Sequence, residues 1–540
     1  MKKLSFNWFI WLILLIVSLL PLFDLFNSGL PITHDGKDHV ARIANFYQSL
    51  SEGNFVPRWA GNLNWGYGHP VMMFLYPLPS YIASAFHVIG FSLVDSVKLV
   101  FAFGFIASVV SMYLFASYRF GYLAGILAAL LYGFAPYRFV DMYVRGAIGE
   151  HMAFIFLPLV LLGLWQSSIV LIAMSMAFLL LSHNAVSLMM LPIIAVFVVY
   201  LLVFESKRKR EFLFRSLTGL ILGFVLSAFF WLPAYMEGKY TLRDIVTKGE
   251  FTSRFVNVAD FFNPTWGYGT ANEISKFLGF SNIFILLLAL VLFHSMRKPS
   301  KVLIGGALLY TIVSLVLMTN VSAPVWQIVS LIQKFQFPWR FLHVTTFLIP
   351  IIGAVVVSHI DIKRRLKVVI VFSVIAIIGS FSMWHARDYV SMSDSNFTGM
   401  YNGTTDTGES SPIWSIRFME TKAKAPIEVI SGKGVSIFVG PRRSTHHSYR
   451  VFSLESTKLV ENTLYFPNWE VFVDKTPVPI EFQNPNYRGL LTFDVPAGDH
   501  AVDVVFTDTK LRILANWISI GGFMLTIGFL VTMRLWQKRT

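Results

Sequence analysis

The chain of 540 residues contains no cysteine, which removes disulfides, thiolate metal sites and cysteine nucleophiles from consideration. It is also poor in charge. Only 14% of residues are Asp, Glu, Lys or Arg, and the acidic ones are the scarcer, 30 against 44 basic. No Walker-type loop is present, and Gly66-Tyr67-Gly68 lacks the strand-to-helix setting of a dinucleotide fingerprint. Chemistry driven by cytoplasmic ATP is therefore not indicated. Nor is a repeat of two halves visible, the pattern that places ionisable groups at the midplane of many transporters.

What the chain has instead is apolar length. Hydrophobic residues make up 55% and the mean hydropathy is +0.61, beyond the needs of a soluble core. Runs such as Trp8 to Phe26, Ser216 to Met236 and Trp517 to Arg534 match the roughly 20 residues that cross a bilayer. The fold class is a polytopic α-helical membrane protein. No small-x-small cleavage site follows Phe26, so the first run reads as a retained span. The net charge of +14 does not point to nucleic acid, because the basic residues cluster in short loops, as topology signals do.

Those clusters set the orientation. Lys2 and Lys3, Lys207 to Arg210 with Arg215, Arg297-Lys298 with Lys301, Lys363 to Arg365 with Lys367, and Arg534, Lys538 and Arg539 all belong on the cytoplasmic side. About twelve spans satisfy them, at 8–28, 97–117, 120–136, 152–166, 168–182, 185–204, 216–236, 279–296, 302–319, 341–358, 366–385 and 513–533. Both termini are then cytoplasmic, in the plasma membrane of the cell. The stretch 71–90, with Pro77, Pro79 and His87, is expected to be a juxtamembrane helix in the outer interface. The domains are a transmembrane domain over 1–385 with outer loops 29–96, 137–151, 237–278 and 320–340, an extracytoplasmic β-rich domain over 386–512, and a final span with its tail over 513–540.

Charge is concentrated in the outer loops. The first carries His34-Asp35-Gly36-Lys37-Asp38-His39 and Arg42, then Pro57-Arg58-Trp59. A helix over 35–50 places Asp35, Asp38, His39 and Arg42 on one face. A solvated first turn explains the acids blandly; the sharper reading makes Asp35 a general base or metal ligand with His39 beside it. Arg42 and Arg58 are substrate-binding candidates. In the second loop, Tyr137 to His151, Glu150 is a second carboxylate and Arg145 a phosphate ligand. The competing reading is a polar turn at the headgroups. His183 in Ser182-His183-Asn184 and Arg340 in Phe337-Pro338-Trp339-Arg340 join the list, against readings as a helix break and an aromatic bilayer anchor. Trp266, in Asn263 to Gly269, either stacks on a sugar ring or packs.

From 425 to 510, alternating runs at 435–439, 469–473 and 501–506, separated by turn residues, predict an antiparallel β-sandwich. Its role is either carbohydrate binding or a cap over the cleft. Segment 386–425, rich in Ser, Thr, Asn, Asp and Gly, reads as a linker or a loosely ordered entry to this domain.

Several linked motifs carry a resemblance. Asp35-x-x-x-His39-x-x-Arg42-Ile43, Pro57-Arg58-Trp59, Gly66-Tyr67-Gly68-x-Pro70, Tyr76-Pro77-x-Pro79, Ala135-Pro136-Tyr137-Arg138, Asp141-x-Tyr143-x-Arg145-Gly146-Ala147-x-x-Glu150 and Phe337 to Phe341 resemble bacterial membrane proteins labelled "6-pyruvoyl-tetrahydropterin synthase related", over roughly 1–360. Their architecture is similar to type-C (GT-C) membrane glycosyltransferases. The resemblance implies a sugar donor on a polyprenyl phosphate, an envelope glycan, lipid or protein acceptor, and a catalytic carboxylate in the first outer loop. Asp35 takes that place, with His39 and Glu150 as helpers. A divalent ion, magnesium or manganese, bridging Asp35 and Glu150 is an alternative to unaided base catalysis. The second loop offers a lone Glu150 instead of a paired acidic motif. Two other classes stay open: a transporter or flippase of lipid-linked glycans, and a non-catalytic envelope-glycan assembly protein.

Overall fold

The computed structural model describes residues 8–268 and 274–539, with side chains through residue 532. Lys2, Lys3 and the side chains of Arg534, Lys538 and Arg539 lie outside the described residues. Among those described, eight helices are long and apolar enough to cross a membrane: Trp8–Phe26, Leu93–Phe120, Ile148–Gln166, Asn184–Glu205, Lys298–Met318, Pro338–His359, Ile362–Met383 and Lys510–Thr532. Two bent pairs reach that length together, Tyr122–Gly133 with Pro136–Arg145 at 47° and Lys209–Leu226 with Ala228–Met236 at 70°. Ile169–Ser182 and Phe280–Ser295 are shorter.

The expected spans all fall on these helices, two of them with a change of shape. The 120–136 segment bends where Pro136 opens a new helix. The 216–236 segment bends at Ser227, whose hydroxyl donates to the Gly223 carbonyl at 2.9 Å. The stretch 71–90 is also altered. It breaks around Leu75 to Pro77 into Val71–Phe74 and Leu78–Val88, and Val71 to Phe74 are buried in protein rather than laid on an interface. An 11-residue helix rises only about 16 Å, well short of a bilayer.

Ile148–Gln166 and Pro338–His359 form the centre of the bundle, 89% and 94% buried over their apolar windows. Both are apolar all round, which suits a helix with no lipid-facing side. Chain connections at 121, 167–168, 206–208, 296–297 and 360–361 alternate with those that gather the polar outer loops. The described basic clusters around 207–210, 297–301 and 363–367 adjoin the first set, the distribution expected of topology signals.

Among the described residues there are ten strands: β1 (Leu30–Pro31), β2 (Tyr389–Val390), β3 (Ile427–Ser431), β4 (Ser436–Arg442), β5 (His446–Ser453), β6 (Thr457–Leu464), β7 (Trp469–Val473), β8 (Thr476–Val478), β9 (Leu490–Val495) and β10 (Gly498–Phe506). β4-β5-β10-β7-β8 make one antiparallel sheet and β3-β6-β9 another. Their inward residues, among them Val451, Val471, Val504, Leu459 and Phe493, share one core. Asp474 and Lys475, at φ 47° and 67°, give the β7–β8 hairpin its tight turn. Trp59 of the first loop is buried in the same core, 5.3 Å from Trp469, so the β-domain is docked on the bundle.

Segment 386–425 is not a linker. β2 pairs with β1, the Asn64 and Trp65 amides donate to the carbonyls of Gly403 and Tyr401, and Leu242 N–H donates to Ser411. Its small polar residues suit close backbone contact, which composition alone reads as flexibility. We term this segment the strap.

Candidate functional site

A cavity of about 560 Å³ lies where the first two outer loops, the loops at 241–254 and 334–340, and the strap converge, within the usual range of small-molecule sites. Its wall includes Asp35, His39, Arg42, Arg145, Glu150, His183 and Arg340. Seven of the nine expected site residues therefore come together from four separate parts of the chain.

Asp35 stands immediately before helix Gly36–Ser51 and makes no side-chain cap. Its amide donates to the Arg145 carbonyl at 2.9 Å and that of His34 to Val144 at 3.0 Å, tying the first loop to the second. This approach depends on Gly146, at φ 69°, where an added Cβ would lie 2.4 Å from Thr33 Oγ1. The Asp35 carboxyl group accepts no hydrogen bond among the described residues and opens onto the cavity. Burial raises its pKa, with Arg145 and Arg42 opposing.

Glu150 is the hub of a second group of lining residues. Its Oε1 accepts from Arg145 Nη2 and Arg340 Nε, both at 2.9 Å, and its Oε2 accepts from the Tyr137 hydroxyl at 2.9 Å. Arg145 also reaches Asp141 Oδ1 at 2.8 Å and lies 4.7 Å over the Trp339 ring. Arg340 donates through Nη1 to the Phe335 carbonyl. Trp339 and Arg340 are thus buried, not a bilayer anchor with a snorkelling cation. Gly149 lets the wall close up, since a Cβ there would be 2.2 Å from the Tyr76 ring.

His183 Nδ1 accepts from the Val186 amide as a helix cap, leaving Nε2 to face Glu150 Oε1 at 3.8 Å. Its ring lies 4.9 Å from that of Tyr76. Burial pulls its pKa down to about 3, Glu150 opposing, so near neutrality the imidazole is a neutral donor. It is both a helix break and a cavity residue. His39 is buried, which holds its pKa well below normal, and its Nδ1 faces Arg42 Nη1 at 3.3 Å. It supports Arg42 rather than offering a free base. Arg42 in turn donates to Thr405 Oγ1 at 3.2 Å and to the Thr405 carbonyl.

Two expected residues lie elsewhere. Arg58 is 5% exposed and bonded to Asp508 at 2.9 Å and Asn516 at 2.9 Å; it anchors the final helix and takes no part in the cavity. Trp266 packs against the main core and edge-on to Tyr268. Gly269, the last residue of its loop motif, lies outside the described residues.

The Asp35–Glu150 pair does not fit a divalent ion. Both Glu150 oxygens are already acceptors and two guanidinium groups abut one of them, which opposes a further cation. Among the described residues, the group of three or more His and acidic ligand atoms lying within 4.8 Å of one another is Asp141, Glu150 and His343, and Asp35 is not a member of it.

Sequence reasoning missed Arg254, Lys334, Gln336 and the strap residues Thr405, Asp406, Thr407, Glu409 and Ser410 as cavity wall. Arg254 and Lys334 have no carboxylate within ion-pair distance among the described residues. Their signal was available: they are outer-loop cations that the topology rule leaves unexplained.

Fold and site together define a polytopic membrane protein with a polar cavity at one end of its helical bundle. The family model described as the 6-pyruvoyl-tetrahydropterin synthase related domain, a membrane protein family, matches residues 73–386, and the chain belongs to that family. The match includes Arg145, Glu150 and Arg340 but begins after Asp35. An uncharacterized protein of Lactococcus lactis subsp. cremoris is 25% identical over 334 residues, covering 57% of this chain and 51% of its own length. The chain thus spans about half of that curated relative. Arabinofuranosyltransferase AftD from Mycobacteria gives a TM-score of 0.44 at 16% identity, over 69% of this chain and 26% of AftD. ArnT from Cupriavidus metallidurans, bound to undecaprenyl phosphate, gives 0.40 at 15%, over 69% and 63%. At such scores the likeness carries no argument about activity.

Proposed function

We propose that the protein is a membrane glycosyltransferase of the type-C kind. It moves a sugar from a polyprenyl-phosphate carrier to an acceptor hydroxyl at the outer face of the plasma membrane. Both termini are cytoplasmic and the β-domain is extracytoplasmic. The observation that carries this reading is Asp35: an unpartnered carboxyl group opening onto a cavity that is also lined by Arg145, Arg340, Arg254 and Lys334.

In the proposed step Asp35 takes the proton of the acceptor hydroxyl. The acceptor oxygen bonds to the anomeric carbon, the bond from that carbon to the phosphate oxygen breaks, and its electron pair leaves with the polyprenyl phosphate. The anomeric centre inverts. Developing charge on the phosphate is met by Arg145 and Arg340, held in place by Glu150, and by Arg254 and Lys334, whose charges are not matched by a bonded carboxylate. His183 adds a neutral N–H donor.

The test is transfer of labelled sugar from polyprenyl-phosphate donors to envelope glycan in membranes, with wild type and Asp35→Asn at equal expression. Transfer by the wild type that is lost in the variant is expected. Equal transfer by both overturns Asp35 as the base. No transfer by either, across a panel of donors, favours a flippase or assembly role.

A further inference from the structure

The strap is part of the cavity as much as the loops are. Thr405, Asp406, Thr407, Glu409 and Ser410 line it, two carboxylates and three hydroxyls with no cation. At one end Tyr401 donates to Asp38 Oδ1 at 2.8 Å, and Thr405 receives Arg42, both on the helix that Asp35 opens. At the other, Gln336 Nε2 donates to Glu409 Oε2 at 2.9 Å while its Oε1 lies 3.5 Å from Arg340 Nη1. The strap therefore bridges from the helix of the proposed base to the proposed phosphate-binding cations, where an acceptor must sit for both to act.

Its two carboxylates are used differently. Asp406 spends both oxygens on the strap's own turn, accepting from the amides of Gly408 and Ser410 at 2.9 and 3.1 Å. Glu409 is pinned through Oε2 alone, by Gln336 and by Thr407 at 3.1 Å. Its Oε1 accepts no hydrogen bond among the described residues, on a side chain that lines the cavity. A carboxylate held by one oxygen, with the other open, suits a hydroxyl or ammonium donor and repels an anion.

Resting on the glycosyltransferase reading, we propose that Glu409 binds the acceptor, and that the acceptor is a neutral or aminated polyol, a glycan hydroxyl with a neighbouring donor group, rather than an anionic sugar or phosphate-bearing lipid. Selection works by like-charge repulsion at Glu409, which acts more strongly in a partly desolvated cavity than in water.

The experiment uses the full-length protein in nanodiscs, with methyl glucoside, methyl glucosaminide and methyl glucuronide as acceptor probes. Direct binding is measured alongside transfer from a polyprenyl-phosphate donor. The wild type is expected to bind the first two and to bind the glucuronide at least about tenfold more weakly, a difference of about 1.4 kcal/mol. Glu409→Ala weakens glucoside binding by a similar factor and leaves donor affinity unchanged. Glu409→Gln keeps an acceptor oxygen in place, so it restores much of the glucoside binding and loses the discrimination against glucuronide. The proposal is overturned if the wild type binds glucuronide as well as glucoside, if it binds none of the three, or if Glu409→Ala weakens donor and acceptor alike. Selective binding lost in the Glu409 variants, without turnover of any donor, would remove the transferase reading and keep the polyol site. Transfer that depends on Asp35 but not on Glu409 would remove this inference alone.

Discussion

Arg340 Nε and Glu150 Oε1 meet at 2.9 Å across 190 residues of chain, each from the first turn of one of the two central helices. Arg145 joins the same oxygen from the second loop. The carboxylate thereby sets the positions of two cations that face the cavity, and it is bonded too fully to serve as the base. Asp35, whose carboxyl group accepts no hydrogen bond among the described residues, is the base in the proposed function.

Removing the hub should cost stability before it touches chemistry. Glu150→Ala leaves two buried guanidinium groups without their shared acceptor, and breaking such a pair costs about 3–5 kcal/mol. A lowered unfolding midpoint is expected by fluorescence-detected thermal denaturation, partly recovered when Arg340→Met is added. A variant as stable as wild type would contradict the anchoring role.

On the proposed function, acid should switch transfer off earlier than an ordinary aspartate would. Burial raises Asp35 above 3.8, and the base works only when ionised, so activity is present above the raised pKa and lost as pH falls through it. The acid limb of kcat/KM is therefore expected above pH 3.8. His183, at about 3, stays neutral across that limb and contributes nothing to it. A limb at or below the ordinary value would count against Asp35.

Arg58→Ala is expected to separate structure from binding. Its partner Asp508 is 31% exposed, which discounts the pair, so the loss should be roughly 1–3 kcal/mol. Thermal stability should fall while KM for donor and acceptor stays put. A rise in KM at unchanged stability would return Arg58 to the substrate site.

Loosening the strap should expose it. Tyr401→Phe with Thr405→Val removes the hydroxyls that meet Asp38 and Arg42, and cleavage within 399–411 under limited proteolysis should speed up several-fold if opening costs about 1 kcal/mol less. Unchanged cleavage would show that the backbone bonds to Asn64 and Trp65 hold the strap alone.

Chelation gives a separate check. Because the Asp35–Glu150 pair does not fit a divalent ion, transfer should continue unchanged in EDTA. Activity lost to EDTA and restored by magnesium or manganese would reinstate a metal at this site.

Much of the fold was readable because its signals are local. Apolar runs of bilayer length fix the helices, basic clusters fix which ends they adjoin, and short alternating runs with turn residues mark β4, β7 and β10. The helix after Asp35 and its polar face were readable for the same reason, since residues three or four apart must share a face. Pro136 and Ser227 altered two spans through a ring clash and a back-bonded hydroxyl, which hydropathy averages over a window cannot register.

What the sequence determined by itself was therefore a multi-span membrane protein, the position of its charged loops, a β-rich domain and a short list of titratable candidates. The tertiary structure alone decided which of those candidates share a cavity. It sent Arg58 to Asp508 and Trp266 against the core, gave Glu150 to two arginines, left Asp35 unpartnered, and put the strap in the cavity wall. Those outcomes depend on contacts between residues up to several hundred positions apart, set by the packing of whole helices, and no spacing along the chain encodes them.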